Sequence, residues 1–326
     1  MNLDKKVFKK IKGDASFRVF FRKKSREKTS IIVYAKKEKK KNLLIYDAIN
    51  KILIKNGIRA PKILCNNYKQ NFIEIEDFGN FSIYSNLKRK KNQSKLFKNV
   101  IFLLKKIQKI KEKKIKNFQS KNYILPLYSK KVLFNEAKLF MQWYVPKKIN
   151  KKKVTKLNKK LSNEINYLLS KLKLKNDTFV HRDFHVSNLM ISKNKIGVID
   201  SQDAVIGNKA YDLASLIDDV RIKTSKKIKN SVYNFYIDLN KNKINKNYFK
   251  NDFEILSVLR NLKIIGIFTR LAIRDNKKKY LKMIPHAWEL IESRINNNII
   301  FYNLKNCLDK NFTKKCRMKK RILIRL

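Results

Sequence analysis

Acidic residues are scarce in this chain: 25 Asp and Glu stand against 80 Lys and Arg over 326 residues, a formal net charge of +55. Cysteine is scarce as well. Cys65, Cys307 and Cys316 are odd in number and lack metal-ligand spacing, which fits reduced thiols in a cytosol. No apolar run approaches the roughly 18 to 20 residues needed to span a bilayer. The basic N-terminus lacks the apolar segment of a signal peptide, so the expected location is cytoplasmic. There is no internal repeat, and no low-complexity block beyond the lysine bias. Hydrophobic residues at 43% and aromatics at 11% are enough for a real core and weigh against global disorder.

So large a positive charge has two readings. A dense basic field attracts phosphates, which would suit nucleic acid or an anionic membrane. Proteins that read nucleic acid lean on arginine for its bidentate fork, yet here lysine vastly outnumbers arginine and is spread over nearly the whole chain. Neither clustered bases with stacking aromatics nor a nucleic-acid module is present. The pattern favours compositional drift over tolerant surface positions, and no specific nucleic-acid partner is expected. Non-specific polyanion binding at low salt follows from the charge alone.

Local patterning suggests two regions. IKGDASFRVFF carries a Gly-Asp turn at Gly13 and Asp14 before an apolar run, and TSIIVYA is a β-branched second strand. Residues 42–56 have helical spacing, with Gly57 placed as a C-cap. APKILCNN and QNFIEIEDFG read as two further strands. Residues 81–175 are dominated by helical periodicity, 179–200 return to short strands and loops, and 210–300 are helical again. The expectation is an α+β fold with a small sheet-based N-terminal lobe over 1–80, a larger, mostly helical lobe over 81–312, and a basic tail over 313–326. The tail reads as an unconstrained end more simply than as a contact for anionic surfaces.

Residues 180–220, VHRDFHVSNLMISKNKIGVIDSQDAVIGNKAYDLASLIDDV, break the charge pattern. From 181 to 220 six acids (Asp183, Asp200, Asp203, Asp212, Asp218, Asp219) meet four bases (Arg182, Lys193, Lys195, Lys209), a local balance of −2. Two of the three histidines, His181 and His185, lie here too. Asp183 and Asn188 are five apart in a polar loop, and Asp200 ends the next strand-like run. A hairpin between them brings Asn188 and Asp200 to the same end. Mg²⁺ prefers hard oxygen ligands and takes few from protein, so a carboxylate with an amide oxygen suits it. Asp183 can then accept the proton of an attacking hydroxyl.

HRDFHVSN followed by VIDSQD and YDLAS resembles the catalytic core of the aminoglycoside phosphotransferase and choline kinase superfamily. The resemblance implies a protein-kinase-like two-lobe fold and an ATP- and Mg²⁺-dependent small-molecule kinase, with Asp183 as base and Asn188 and Asp200 on the metal. His181 and Asp212 would support the loop. GDASFRVFFR, IEDFGN, NEAKLFMQWYV, RNLKIIGIFTRL and RDNKKKYLKMIPHAW are similar, in order over roughly 10–312, to one branch: the bacterial cell-wall sugar kinases that phosphorylate the anomeric hydroxyl of N-acetylmuramate and N-acetylglucosamine. That resemblance implies an amino-sugar substrate and a place in peptidoglycan recycling.

Gly13, Asp14, Ala15 and Ser16 would form a phosphate-facing turn. Backbone groups from Glu74 through Glu76 to Asp77 would meet adenine at a hinge near 76–81. His185, Gln202 and Asp203 are either substrate contacts or local structural residues, and Asp212 suits the N-cap of a helix over DLASLI. N-acetylmuramate is anionic through its lactyl group, so Arg260 and Arg274 are the first candidates to receive a carboxylate. Kinases of this fold carry a strand lysine that reaches the phosphates, but IIVYA has none, and Lys36 and Lys37 only follow it. The alternatives are a choline- or aminoglycoside-type kinase of the same superfamily, or a non-enzymatic polyanion binder. Protein-kinase activity ranks low, because no Ala-Pro-Glu-like close follows Asp200.

Compositional drift predicts that duplex DNA binds at low ionic strength and is released as salt approaches the physiological range. Fluorescence anisotropy against salt concentration reads this, and tight binding retained at physiological salt would contradict it.

Overall fold

The computed structural model describes residues 7–11, 17–25, 28–89, 93–296 and 298–318. In chain order the elements begin with β1 (Phe8–Ile11), β2 (Val19–Lys24), β3 (Thr29–Tyr34), α1 (Lys41–Lys55), β4 (Ile63–Asn67) and β5 (Phe72–Glu76). Next come α2 (Ile83–Lys88), α3 (Gln93–Ile107), β6 (Lys114–Lys116), β7 (Asn122–Ile124), α4 (Lys130–Leu139), α5 (Lys151–Ser170), β8 (Asn176–Val180), β9 (Leu189–Ser192) and β10 (Lys195–Val198). The chain continues through β11 (Val205–Asn208), α6 (Ala210–Ile217), α7 (Lys226–Leu239), α8 (Lys246–Ile273), α9 (Ile284–Ile295), α10 (Tyr302–Asn311) and α11 (Lys314–Met318). The described residues fall into two compact units, one drawn from Met1–Pro126 and Thr178–Ile206, the other from Leu127–Asp177 and Gly207–Leu326.

The first unit is built on a five-stranded antiparallel sheet in the order β1-β2-β3-β5-β4. β3 and β5 are rich in β-branched residues, which suit a pleated surface. Their inward residues Ile31, Val33, Ile73 and Ile75 form one core with Leu43 and Tyr46 of α1. α1 stops where Gly57 adopts φ +66°. The Gly57 N–H donates to Ile54 O and the Ile58 N–H to Leu53 O, both at 2.9 Å, which is a Schellman closure. The glycine is needed there because φ > 0 costs nothing without a Cβ.

Arg22 of β2 holds the segment that follows β5. Its Nη1 donates to Asn80 Oδ1 at 2.7 Å, its Nη2 to Asp77 Oδ1 at 3.0 Å and to Gly79 O at 3.2 Å. That segment is bonded in turn to the 178–206 stretch: Ile191 N–H donates to Phe81 O at 2.7 Å and Tyr84 N–H to Val186 O at 3.0 Å. Arg59 adds a second tie. Its carbonyl accepts from Val198 N–H at 2.9 Å, and its guanidinium reaches Glu76 at 2.8 Å and Ser192 Oγ at 3.1 Å. A Cβ on Gly197 would lie 2.6 Å from the Phe78 ring and 3.0 Å from Arg59 O, so this close approach requires glycine.

The second unit is helical around the 28-residue α8. A Cβ on Gly266 of α8 would sit 2.3 Å from the backbone carbon of Leu139, so α8 passes backbone to backbone against the end of α4. Beyond α4 the chain makes a π-turn over Phe140–Tyr144. Phe140 and Tyr144 pack there with Trp288 and Phe312 at ring separations of 5.2 to 5.9 Å.

Buried carboxylates tie the helices together. Asp252 accepts from the N–H groups of Lys173 and Leu174, both at 2.8 Å, and from Asn208 Nδ2 at 2.6 Å. Asp218 accepts from Ser257 Oγ at 2.6 Å, Lys229 Nζ at 2.9 Å and Arg294 Nε at 2.9 Å.

Three expectations are refined. The helical reading of 81–175 is interrupted by the β6–β7 hairpin, whose three-residue strands are too short to leave a period against the lysine background. Asp212 is not an N-cap. α6 starts at Ala210, and Asn208 Oδ1 accepts the Ala210 N–H at 3.0 Å, leaving Asp212 in the first turn and fully buried. The start of the basic tail is docked: Arg317 pairs with Glu292 at 2.7 Å and Asp309 at 2.6 Å, with its guanidinium over Trp288. Residues 319–326 lie outside the described residues.

Burial alone would raise the Asp218 carboxyl, but Arg294 and Lys229, with Ser257, outweigh it and hold it down to about 2. A depressed carboxyl stabilises the fold above its unfolded value, and that contribution is lost as pH falls through the folded one. Asp218→Asn should therefore cost about 3 to 5 kcal/mol at neutral pH, since it removes the buried carboxylate that pairs two half-buried cations. The deficit relative to the native chain should shrink from about pH 4 down to about pH 2. Denaturant unfolding of both proteins across that range measures it.

Candidate active site

The chemistry-bearing segment folds as a loop followed by a hairpin. β9 and β10 pair antiparallel from Leu189↔Val198 to Ser192↔Lys195. Lys193 and Asn194, both at positive φ (+50° and +58°), close the two-residue turn, as a type I′ hairpin requires. Asn188 immediately precedes β9 and Asp200 follows β10 by two residues, so the hairpin does bring them to one end. Asn188 O accepts the Ile199 N–H at 3.0 Å and locks that end.

Asp183 is tied to the same end through its backbone. Its carbonyl accepts from Asn188 Nδ2 at 3.1 Å and from the His185 N–H at 2.9 Å. Asn188 Nδ2 also lies 3.3 Å from His185 Nε2. With its nitrogen committed to the loop, the Asn188 amide presents Oδ1 on its other side. Besides the turn residues Lys193 and Asn194, Arg182 at φ +75° and Asp200 at φ +62° hold left-handed backbone without being glycine. Each such residue costs on the order of 1 kcal/mol or more and persists only where its surroundings enforce it.

His181 is fully buried beside the Ile199 backbone. Burial lowers its pKa against the opposing pull of Asp183, Asp200 and Asp203, so the ring is neutral near pH 7. Asp200 presents a half-open carboxylate, 41% exposed, whose Oδ1 accepts from Arg18 Nη2 at 2.5 Å. Gln202 and Asp203 lie on a short 3-10 turn. Gln202 is buried, accepts from Arg18 Nη1 at 3.0 Å and donates to Asp203 Oδ2 at 3.0 Å. Asp203 Oδ1 lies 3.9 Å from Arg182.

The other sequence-derived candidates separate into groups. Gly13, Asp14, Ala15 and Ser16 lie outside the described residues. Glu74 sits in the middle of the sheet, opposite Ile32 and Cys65, and its carboxylate accepts from Ser30 Oγ at 2.5 Å and Lys23 Nζ at 3.2 Å. Glu76 pairs with Arg59, and its N–H donates to Lys62 O at 2.9 Å. In the second unit Arg260 is 4% exposed, and its Nη1 has no hydrogen-bond partner among the described residues. Arg274 is exposed and gripped by Asp275 at 2.7 and 2.9 Å.

Arg18 was not singled out from the sequence, although it lies inside GDASFRVFF. The available signal was an arginine set between Phe17, Val19 and Phe20, since a cation inside an apolar run needs a partner. Among the described residues no group of three or more His, Cys, Asp or Glu is placed to hold a metal ion. The pairing of one carboxylate with one amide oxygen is a smaller donor set than that. No helix among the described residues is long and apolar enough to cross a membrane.

The phosphotransferase enzyme family matches residues 7–236 of the chain. An N-acetylmuramate/N-acetylglucosamine kinase of Neisseria meningitidis serogroup B is 28% identical over 288 residues, covering 84% of this chain and 81% of that protein. A protein of the same name from Pseudomonas aeruginosa is 26% identical over 291 residues, covering 87% and 82%. Among solved structures, an ethanolamine kinase of Plasmodium vivax has a TM-score of 0.59 at 17% identity, covering 88% of this chain and 81% of that one. An ADP-bound aminoglycoside phosphotransferase has a TM-score of 0.59 at 15% identity, covering 88% and 92%. These last two similarities speak for the fold, and the family match spans most of the chain. The chain therefore belongs to the phosphotransferase enzyme family and is a phosphotransferase of α+β, protein-kinase-like fold.

Proposed function

We propose that this phosphotransferase is an ATP- and Mg²⁺-dependent kinase acting in the cytoplasm on the anomeric hydroxyl of N-acetylmuramate and N-acetylglucosamine, in the recycling of cell-wall sugars. The observation that carries the reading is that Asp183, Asn188 and Asp200 are held at one end of the hairpin, by Asn188 Nδ2 donating to Asp183 O and the Ile199 N–H donating to Asn188 O, in a chain whose relatives at 26% and 28% identity bear that name.

The donor set fits a magnesium ion. Asp200 keeps Oδ2 beside the oxygen that Arg18 occupies, its side chain is 41% exposed, and Asn188 contributes an amide oxygen. Both are hard donors, and two protein ligands are what Mg²⁺ ordinarily takes beside phosphates and water. When bound there, the ion would neutralise charge on the transferring phosphates.

Asp183 is half-buried on a loop whose backbone is pinned by Asn188 and His185. Its carboxylate accepts the proton of the acceptor hydroxyl as that oxygen bonds to the γ-phosphorus and the bond to the ADP oxygen breaks. His181, neutral and buried, orients the loop and carries no proton in the reaction. Phosphoryl transfer depends mainly on positioning and charge neutralisation, which a pinned loop supplies. Of the two arginine candidates, Arg260 is buried with an Nη1 that has no hydrogen-bond partner among the described residues. Arg274 is already held by Asp275.

Asp183→Asn should lower kcat by about 10²- to 10⁴-fold while the circular dichroism spectrum and Tm stay native. A variant that keeps full turnover would remove Asp183 from the mechanism. In a separate assay with ATP and Mg²⁺, phosphorus NMR on N-acetylmuramate, N-acetylglucosamine, choline and an aminoglycoside should find an anomeric sugar phosphate. Phosphate on choline or the aminoglycoside instead would overturn the substrate.

A further inference from the structure

We infer that Arg18, at the entrance to β2, supplies the cation for the nucleotide phosphates that β3 lacks; this rests on the kinase reading above. β3 is Thr29–Tyr34, with no lysine, and its residues Ile31, Ile32 and Val33 are buried. Lys36 and Lys37, which follow it, are both exposed. Among the described residues, therefore, neither β3 nor the two lysines after it sends a lysine inward.

Arg18 occupies the interior that such a lysine would reach. It is 5% exposed, and its guanidinium sits 5.5 Å from the Phe20 ring and 5.9 Å from the Tyr46 ring. Its two terminal nitrogens fork between Asp200 Oδ1 at 2.5 Å and Gln202 Oε1 at 3.0 Å. Planar and charged at any working pH, a guanidinium can hold two acceptors in one plane, which an ammonium cannot.

The surroundings hold that charge in place without neutralising it from the helix side. Where a kinase of this fold sets a helix glutamate against its strand lysine, α1 presents Tyr46, Asp47 and Asn50. Asp47 pairs with Lys51 at 2.9 Å. Asn50 accepts from Ser201 Oγ at 2.5 Å and donates to Pro61 O at 3.0 Å, which fixes the turn carrying Gln202. Tyr46, pushed up to about 12 by burial, stays a neutral phenol. The carboxylate facing Arg18 is Asp200, the half-open group of the proposed metal site. Arg18 thus directs Asp200 through Oδ1, leaves Oδ2 for a cation, and adds positive charge at the place where phosphate oxygens must gather.

The test is nucleotide affinity by calorimetry, with ATP, ADP and adenosine, on the native chain, Arg18→Gln and Arg18→Lys, each checked for native circular dichroism. Arg18→Gln should weaken ATP by about 10- to 100-fold and leave adenosine unchanged. Arg18→Lys keeps a cation but loses the fork, and should fall between the two. If Arg18→Gln does not fold, the ratio of ATP to adenosine affinity in Arg18→Lys decides: a lowered ratio supports the role. An unchanged ratio in the folded variants overturns it. A native chain that binds adenosine and ATP equally, or neither, overturns the kinase reading and this inference with it.

Discussion

Buried positive charge must be matched by carboxylates, and this chain has few of them. With 25 acids against 80 bases, the buried acids work as junctions. Asp218 gathers Ser257, Lys229 and Arg294 from three helices. Asp252 closes two free backbone N–H groups after α5 and holds Asn208 ahead of α6. Glu136 joins Lys263 and Tyr128. Removing an acid at such a junction leaves several donors unsatisfied in a low-dielectric interior, where the loss is largest. The exposed lysines carry no such constraint, because water solvates them individually, and this allows the surface to drift toward lysine while the core stays specified.

The 181–203 stretch obeys a different rule. Its acids are kept partly open instead of saturated. Asp200 has one oxygen tied and a half-exposed side chain, and Asp183 is held through its backbone. Apart from Arg18, the supports around them are neutral and buried: His181, Asn188 and Gln202. Outside the hairpin turn, Arg182 and Asp200 also adopt left-handed backbone. An arrangement that leaves carboxylates half-satisfied and backbone strained weakens a fold locally, and it persists where the same groups serve a ligand.

Much of this was legible along the chain. β2 to β5 announced themselves through apolar and β-branched runs, and α1 with its glycine closure through a 3.6-residue period ending at Gly57. The hairpin joining Asn188 to Asp200 was legible because its contacts are local, only a few residues apart. Errors arose where the signal was too short or too degenerate. The β6–β7 strands have three residues each, and the helix start at Ala210 was set by Asn208, a neighbour with the same capping ability as Asp212.

By itself the sequence determined the identity and order of three polar groups, Asp183, Asn188 and Asp200, whose spacing brings them to one end of a short hairpin. It also determined which strands would be apolar and where lysine was tolerated. Tertiary structure alone decided which cation meets Asp200. Arg18 lies 182 residues away along the chain, and no periodicity reports a partner at that distance. The same holds for the 79 residues between Asp252 and the backbone it caps. Periodicity shows which side of an element turns inward. Which inward groups then touch depends on how the strands register and the helices cross, and that is settled only when the core packs.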